Sequence, residues 1–226
     1  MFETCLPLRT VSPAELGKVL ADIDSHMPAN HIYSDSDKIT WGHETTHGIN
    51  SRIRNIHGPG VNAFYVLNNK AAIVKEPNTT MREVAKEVPE SLRGNTYQLY
   101  LIDQANSWNN TPLYILDEWT AYTNGSAVRF NLDIITRSET ILSMLEFNIY
   151  SICVGIFTDN TFFKEYLKFG IERAMQLYRY SKIALSKAEE HDAYLDKMRT
   201  SSDAKSFREF TQNYLGEEWV DNILDF

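Results

Sequence analysis

The stretch that most constrains this chain is residues 38–55, "KITWGHETTHGINSRIRN", which contains no proline and is followed at 57–60 by "HGPG", a proline flanked by two glycines. That pattern predicts one helix over roughly 38–55, capped from "YSDSD" by Asp35 and Asp37. His43 and His47 stand four residues apart, so they differ by about 40° around the helix axis and project from one face. Two imidazoles on one face can share a tetrahedral ion such as zinc. Glu44 lies about 100° away, too far round to be a third ligand, yet able to reach a water beside the ion. Zinc acidifies such a water and a carboxylate removes its proton, so the residue types describe two ligands and one base.

The helix must also be buried among neighbours. Ile39, Ile49 and Ile53 supply the apolar face. Gly42 and Gly48 bracket the histidines, each costing about 1 kcal/mol in a helix interior. They make sense where another backbone or the metal's surroundings approach closely.

A third ligand has to come from elsewhere. The positions where a three-histidine zinc motif continues hold Asn50 and Ile53, which excludes the metzincin pattern. Further on, "LDEWTAYTNG" offers Glu118 with Ala121 one turn later, 71 residues after His47. With the HETTH helix, this Glu-x-x-Ala segment resembles the gluzincin-like branch of the HExxH zincins. The resemblance covers about residues 38–125. It implies a zincin-like core, zinc held by His43, His47 and Glu118, Glu44 as general base, and cleavage of peptide bonds in a peptide or protein substrate. It also implies an oxyanion donor, for which Tyr114 and Tyr122 qualify because they flank Glu118 at i−4 and i+4; packing aromatics are the plainer reading of both.

Several other residues have two readings. Asp117 either orients a histidine through its second ring nitrogen or, more simply, is a helix-surface aspartate. Asn50, seven residues after His43, either supports the site or is a polar residue late in the helix. His57 is a candidate oxyanion donor or a solvated loop histidine, and His26, His31 and His191 have no motif around them. "NAFY" at 62–65 is similar to the edge strand that binds substrate backbone in some gluzincins, although there it precedes the HExxH helix. Strand addition of a peptide along this hairpin edge, through Tyr65, is the corresponding expectation.

The remaining chain reads as one domain spanning 1–226, α+β and helix-rich, with a small hairpin. Ser12, Pro13 and Glu15 mark the start of a first helix through "SPAELGKVLADIDSHM". Ala63–Leu67 and Ala71–Val74 flank Asn68-Asn69-Lys70 as a β-hairpin. A helix follows from Thr79 or Thr80 to a terminator at Gly94, and "TYQLYLI" alternates like a strand. The Glu118 helix starts near Pro112 and stops at Asn124-Gly125. "ILSMLEFNIYSICVGIF" (141–157) is too short for a membrane span and carries Glu146 and Asn148, so it reads as a buried core helix. The portion from 138 to 226 is helical and aromatic-rich, with Phe162, Tyr166, Phe169, Ala174 and Leu177 as its core face. Residues 185–226 hold 10 acidic and 5 basic residues, a solvated helical surface.

Composition narrows the function classes. With 43% apolar residues in 226, a core can form without a metal staple, so a bound ion would serve chemistry more than folding. A net charge of −8 disfavours nucleic acid and anionic lipid as partners. Cys5 and Cys153 do not make a disulfide framework and read as unpaired packing residues. "MFETCLPLRT" has no basic region or continuous apolar run, so it does not read as a secretory leader; cytoplasmic and secreted placements both stay open, as does oligomeric state. Two rivals to the peptidase reading share the sequence features. One is a zinc hydrolase of non-peptide amides, which a peptide-library digest separates. The other is a non-catalytic helical interaction protein with a coincidental HETTH, which metal analysis separates.

Overall fold

The computed structural model describes residues 18–132, 139–184 and 189–226. The expected first-helix cap at Ser12, Pro13 and Glu15 lies outside these residues, as does Cys5. After α1 (Val19–His26), Asp35 braces the loop by accepting from the Asp37 N–H and the Tyr33 hydroxyl, each at 2.8 Å. Asp37 then caps α2 (Lys38–His57), accepting from the Ile39 N–H at 3.2 Å. The helix closes at Gly58, whose φ of 86° turns the chain in a way a side chain would resist.

The chain returns along α2 as β1 (Val61–Tyr65), paired antiparallel with β2 (Ala71–Lys75) in the register Val61↔Lys75 to Tyr65↔Ala71. Leu67, Asn68 and Asn69 make the turn in left-handed backbone, which asparagine tolerates through its short polar side chain. Among the described residues this hairpin is the whole sheet. The protein is therefore helix-rich α+β, as expected.

α3 (Met81–Glu87) opens with a reciprocal capping box between Thr80 and Glu83. It stops well before the expected Gly94, because Pro89 forces Val88 into extended backbone (φ −74°, ψ 115°). The expected strand "TYQLYLI" is helical instead: a turn at Asn95–Tyr97 runs into a π-type turn at Gln98–Asp103, closed by Gln104 N–H to Leu99 O at 3.0 Å. Its start is held by Glu146, which accepts from the Asn95 and Thr96 N–H groups at 3.0 and 2.9 Å. Among the described residues no strand lies beside it to pair with, and Tyr97, Leu101 and Ala105 form an i, i+4 stripe that packs helically.

α4 (Tyr114–Asn131) carries Glu118 and runs six residues beyond the Asn124-Gly125 at which it was expected to end. That pair is a packing seam: a Cβ at Gly125 would stand 3.2 Å from the Ile39 carbonyl oxygen and 3.4 Å from His43 Cβ. Asn124 is fully buried and donates to Thr46 Oγ1 at 3.1 Å and the Tyr65 carbonyl at 3.0 Å. Gly42 belongs to the same seam, facing Val128, whereas Gly48 faces His31 in the loop before α2 and not the site.

α5 (Glu139–Gly155) is the expected buried helix. Its polar residues are used internally, Glu146 at the turn above and Asn148 accepting from the Trp119 indole at 2.8 Å. α6 (Thr161–Ala184) buries Tyr166, Phe169, Ala174 and Leu177 as anticipated, with Phe162 only partly covered. α7 (Glu189–Thr200), α8 (Lys205–Leu215) and α9 (Glu217–Ile223) complete the helical C-terminal portion. This acidic region is more than surface, since α7 buries His191, Tyr194, Leu195 and Met198. α4 is the centre of the molecule, packed on α2 at one side and α5 at the other, with the hairpin resting on α2. No described helix is long and apolar enough to cross a membrane.

Candidate metal centre

Close contact along the α2–α4 seam brings His43 and His47 opposite Glu118. The two Nε2 atoms stand 3.1 Å apart, and Glu118 Oε2 lies 3.5 Å from the first and 3.6 Å from the second. Three electron-pair donors thus face a common centre, and the group could hold a metal ion. Glu118 is 4% exposed, and its Oε2 is buried without any hydrogen-bond partner. An unsatisfied carboxylate oxygen in that position is costly unless a cation completes it.

The surrounding groups fix the donors' orientation. His47 Nδ1 donates to Asp117 Oδ2 at 2.8 Å, since the carboxylate can only accept, and this leaves Nε2 as the inward-facing atom. Asp117 is in turn held by Asn50, whose Nδ2 donates to Oδ1 at 2.6 Å. The Asn50 oxygen accepts from the Tyr65 N–H at 2.6 Å, tying the site to the hairpin. Of the two readings of Asp117 and of Asn50, the structure selects the supporting one. Tyr114 donates to Glu118 Oε1 at 2.5 Å and fixes the other carboxylate oxygen.

Charge follows from this packing. Burial alone would raise the Glu118 carboxyl, but the His43 and His47 rings facing it hold it well below the usual carboxylate range. Burial likewise disfavours a charged His47, yet Asp117 and Glu118 outweigh it and raise that ring well above its ordinary value. The pocket therefore already favours positive charge.

The donors open into a cleft of about 990 Å³ that follows α2 from His43 past Glu44, His47 and Ser51 to Arg54. Glu44 is half-buried on this wall and makes no hydrogen bond or ion pair among the described residues. Tyr100, Trp108 and Tyr114 form the facing wall, with Trp108 stacked on Tyr114 at 4.5 Å between ring centroids. Tyr122 reaches the site differently. Its ring packs edge-on against His43 at 4.5 Å, and its hydroxyl meets the Tyr100 hydroxyl at 2.9 Å, but it does not line the cleft.

The other expectations divide: His57 follows its solvated reading and Cys153 its unpaired one, while strand addition at Tyr65 is corrected. His57 is exposed at the end of α2 and does not line the cleft. Strand addition through Tyr65 is closed off, because Asn50 takes its N–H and Asn124 its carbonyl. Only the Gly60–Asn62 end of the hairpin borders the cleft. Cys153 is buried and free. Tyr100, Trp108, Arg54 and Glu76 were missed as cleft residues; for Tyr100 the i, i+4 spacing of Tyr97, Leu101 and Ala105 was the available signal. No protein-family model, curated protein or solved structure matches this chain.

Proposed function

We propose that this chain is a zinc-dependent hydrolase that cleaves peptide bonds, with His43, His47 and Glu118 as the metal ligands. The observation that carries the reading is the orphaned Glu118 Oε2 in a donor triangle with edges of 3.1, 3.5 and 3.6 Å. A tetrahedron with arms near 2.0–2.1 Å has edges of about 3.3 Å, so two imidazoles and a carboxylate at these spacings suit zinc. Calcium and magnesium prefer more numerous oxygen ligands. Three protein ligands leave one position for water or substrate, the pattern of catalytic zinc sites.

When bound, zinc supplies Lewis acidity that activates water and polarises a carbonyl. The chain's own groups supply the proton traffic. Glu44, next to His43 and uncommitted in the cleft, accepts a proton from water as its oxygen bonds to the carbonyl carbon. Glu44 then delivers that proton to the amide nitrogen as the C–N bond breaks, giving a carboxylic acid and an amine. Tyr100 faces the reacting groups across the cleft. Burial and the Glu118 charge push its phenol well above the usual range, so it stays protonated and able to donate to the carbonyl oxygen. The Tyr100 and Tyr122 hydroxyls share a hydrogen bond of 2.9 Å, which fixes where the Tyr100 phenol sits. Tyr114 serves through Glu118, its proton already engaged there.

Glu44→Gln tests the assignment. The variant is expected to keep its zinc and fold while peptide-library hydrolysis falls by at least a hundredfold, in line with losing a general base. A Gln variant with full activity would refute the role, and cleavage of simple non-peptide amides with no peptide products would redirect the substrate class.

A further inference from the structure

The far end of the cleft holds a cation with no opposing charge against it. Arg54 sits seven residues beyond His47, two turns along the same face of α2 and about 10.5 Å away at 1.5 Å per residue. Its Nη1 donates to Asn62 Oδ1 at 3.2 Å and its Nη2 to Ser51 Oγ at 3.3 Å. Both partners are neutral and both bonds are long. A guanidinium has five N–H donors in a planar fork, so most of its donors stay available. Among the described residues no carboxylate lies within ion-pair distance of Arg54.

The nearest acid is Glu76, and Asn62 stands between the two. The Asn62 amide donates to Glu76 while its oxygen accepts from Arg54. Glu76 is turned inward, accepting also from the Leu113 N–H at 3.3 Å. Burial raises its carboxyl to about 7 despite the attraction of Arg54, and it meets that guanidinium only through Asn62, without a direct ion pair. Glu44, Asp117 and Glu118, the other acids lining this cleft, lie at the metal end. Arg54 is half-exposed and lines the open cleft, so a ligand can reach it. Interaction with the carbonyl end of α2 accounts for a cation in the last turn, but it uses none of the fork.

We propose that Arg54 anchors substrate by binding a carboxylate two to three residues from the bond that is cut. An extended peptide advances about 3.3 Å per residue, so the span from the metal ligands to Arg54 matches that distance. A bidentate carboxylate–guanidinium pair is the contact the free fork offers. The carboxylate is either a peptide's own C-terminus, which makes the protein release short C-terminal fragments, or an acidic side chain at that position. The inference rests on the peptidase reading.

The test measures calorimetric binding to the Glu44→Gln protein of three probes: acetyl-hexaalanine with a free C-terminal carboxylate, its C-terminal amide, and the amide carrying aspartate at its fifth position. The free acid is expected to bind about tenfold tighter than the plain amide. Tight binding of the aspartate amide, with the free acid at the plain-amide level, supports the same anchor with a side-chain source. Arg54→Met, which retains the aliphatic stem, is expected to abolish the carboxylate preference, and Arg54→Lys to retain part of it; circular dichroism verifies that both fold. Equal binding of all three probes, or a preference insensitive to Arg54→Met, overturns the anchor while leaving the peptidase reading intact. No binding by any probe, together with no hydrolysis by the unaltered protein, overturns both.

Discussion

His47 is held from two directions, Nε2 toward the donor triangle and Nδ1 by Asp117, which Asn50 braces against the Tyr65 backbone. Removing the brace frees the ring without removing a ligand. Asp117→Ala is therefore expected to weaken metal affinity by about 10–100-fold, measured by competition with a chromogenic chelator; unchanged affinity would make Asp117 a bystander. Glu76 permits a prediction about pH. Its folded value near 7 exceeds the ordinary 4.5, so its contribution to stability is fully present below about 4.5 and is lost as pH rises through 7. Glu76→Gln cannot ionise and should flatten that decline, gaining about 1–2 kcal/mol over the parent at pH 8, the full linkage value being reduced by solvent at the cleft wall. Urea unfolding at pH 5 and 8, at fixed metal content, measures the difference; identical pH slopes would remove Glu76 as the source. At this scale the sequence pointed to the three residues that come together as a possible metal site, because His43, His47 and Glu118 sit in local patterns with chemical meaning. Asp117 was readable as a histidine's support only as one of two alternatives, and Tyr100, Arg54 and Glu76 acquire their meaning only from what faces them across α2, α4 and the 95–108 segment, which no local pattern encodes.

The α2–α4 contact is the element on which the site depends. Gly42 and Gly125 let the helices close to the distance at which Glu118 meets both histidines. A Cβ at Gly42 would lie 2.7 Å from Val128 Cγ2, so Gly42→Ala should cost about 1–3 kcal/mol by overpacking. Adding Val128→Ala should recover part of that loss, giving a non-additive double-mutant cycle in thermal or urea unfolding. Strict additivity would mean that the two side chains do not meet. Helix existence was legible wherever caps and periodicity agreed, as at Asp37 and at the Thr80–Glu83 box. Boundaries were less so. Asn124-Gly125 has the composition of a helix end, yet tertiary packing uses it mid-helix; Val88-Pro89 ended α3 earlier than the glycine signal at Gly94. "TYQLYLI" has a strand's alternation, but Glu146, some fifty residues away, starts a helical turn there.

For the whole molecule, the core is apolar and continuous from α1 to α9, and the donor triangle lies at its edge along the cleft. Folding energy therefore comes from burial, and a metal ion held at the cluster would add only the mass-action stabilisation of a ligand bound to the native state. Helix-rich α+β architecture was readable from caps, the Asn68-Asn69 turn and helical aromatic spacing. The arrangement of helices around α4 was not, because any amphipathic helix can pack on several partners. The most direct measurement is the metal content of the purified protein by mass spectrometry, alongside its His43→Ala, His47→Ala variant. About one zinc per chain is expected in the parent and none in the folded variant, with helical circular dichroism retained in both. A folded parent that binds no zinc, even when supplied with it, would contradict the metal centre and with it the hydrolase reading.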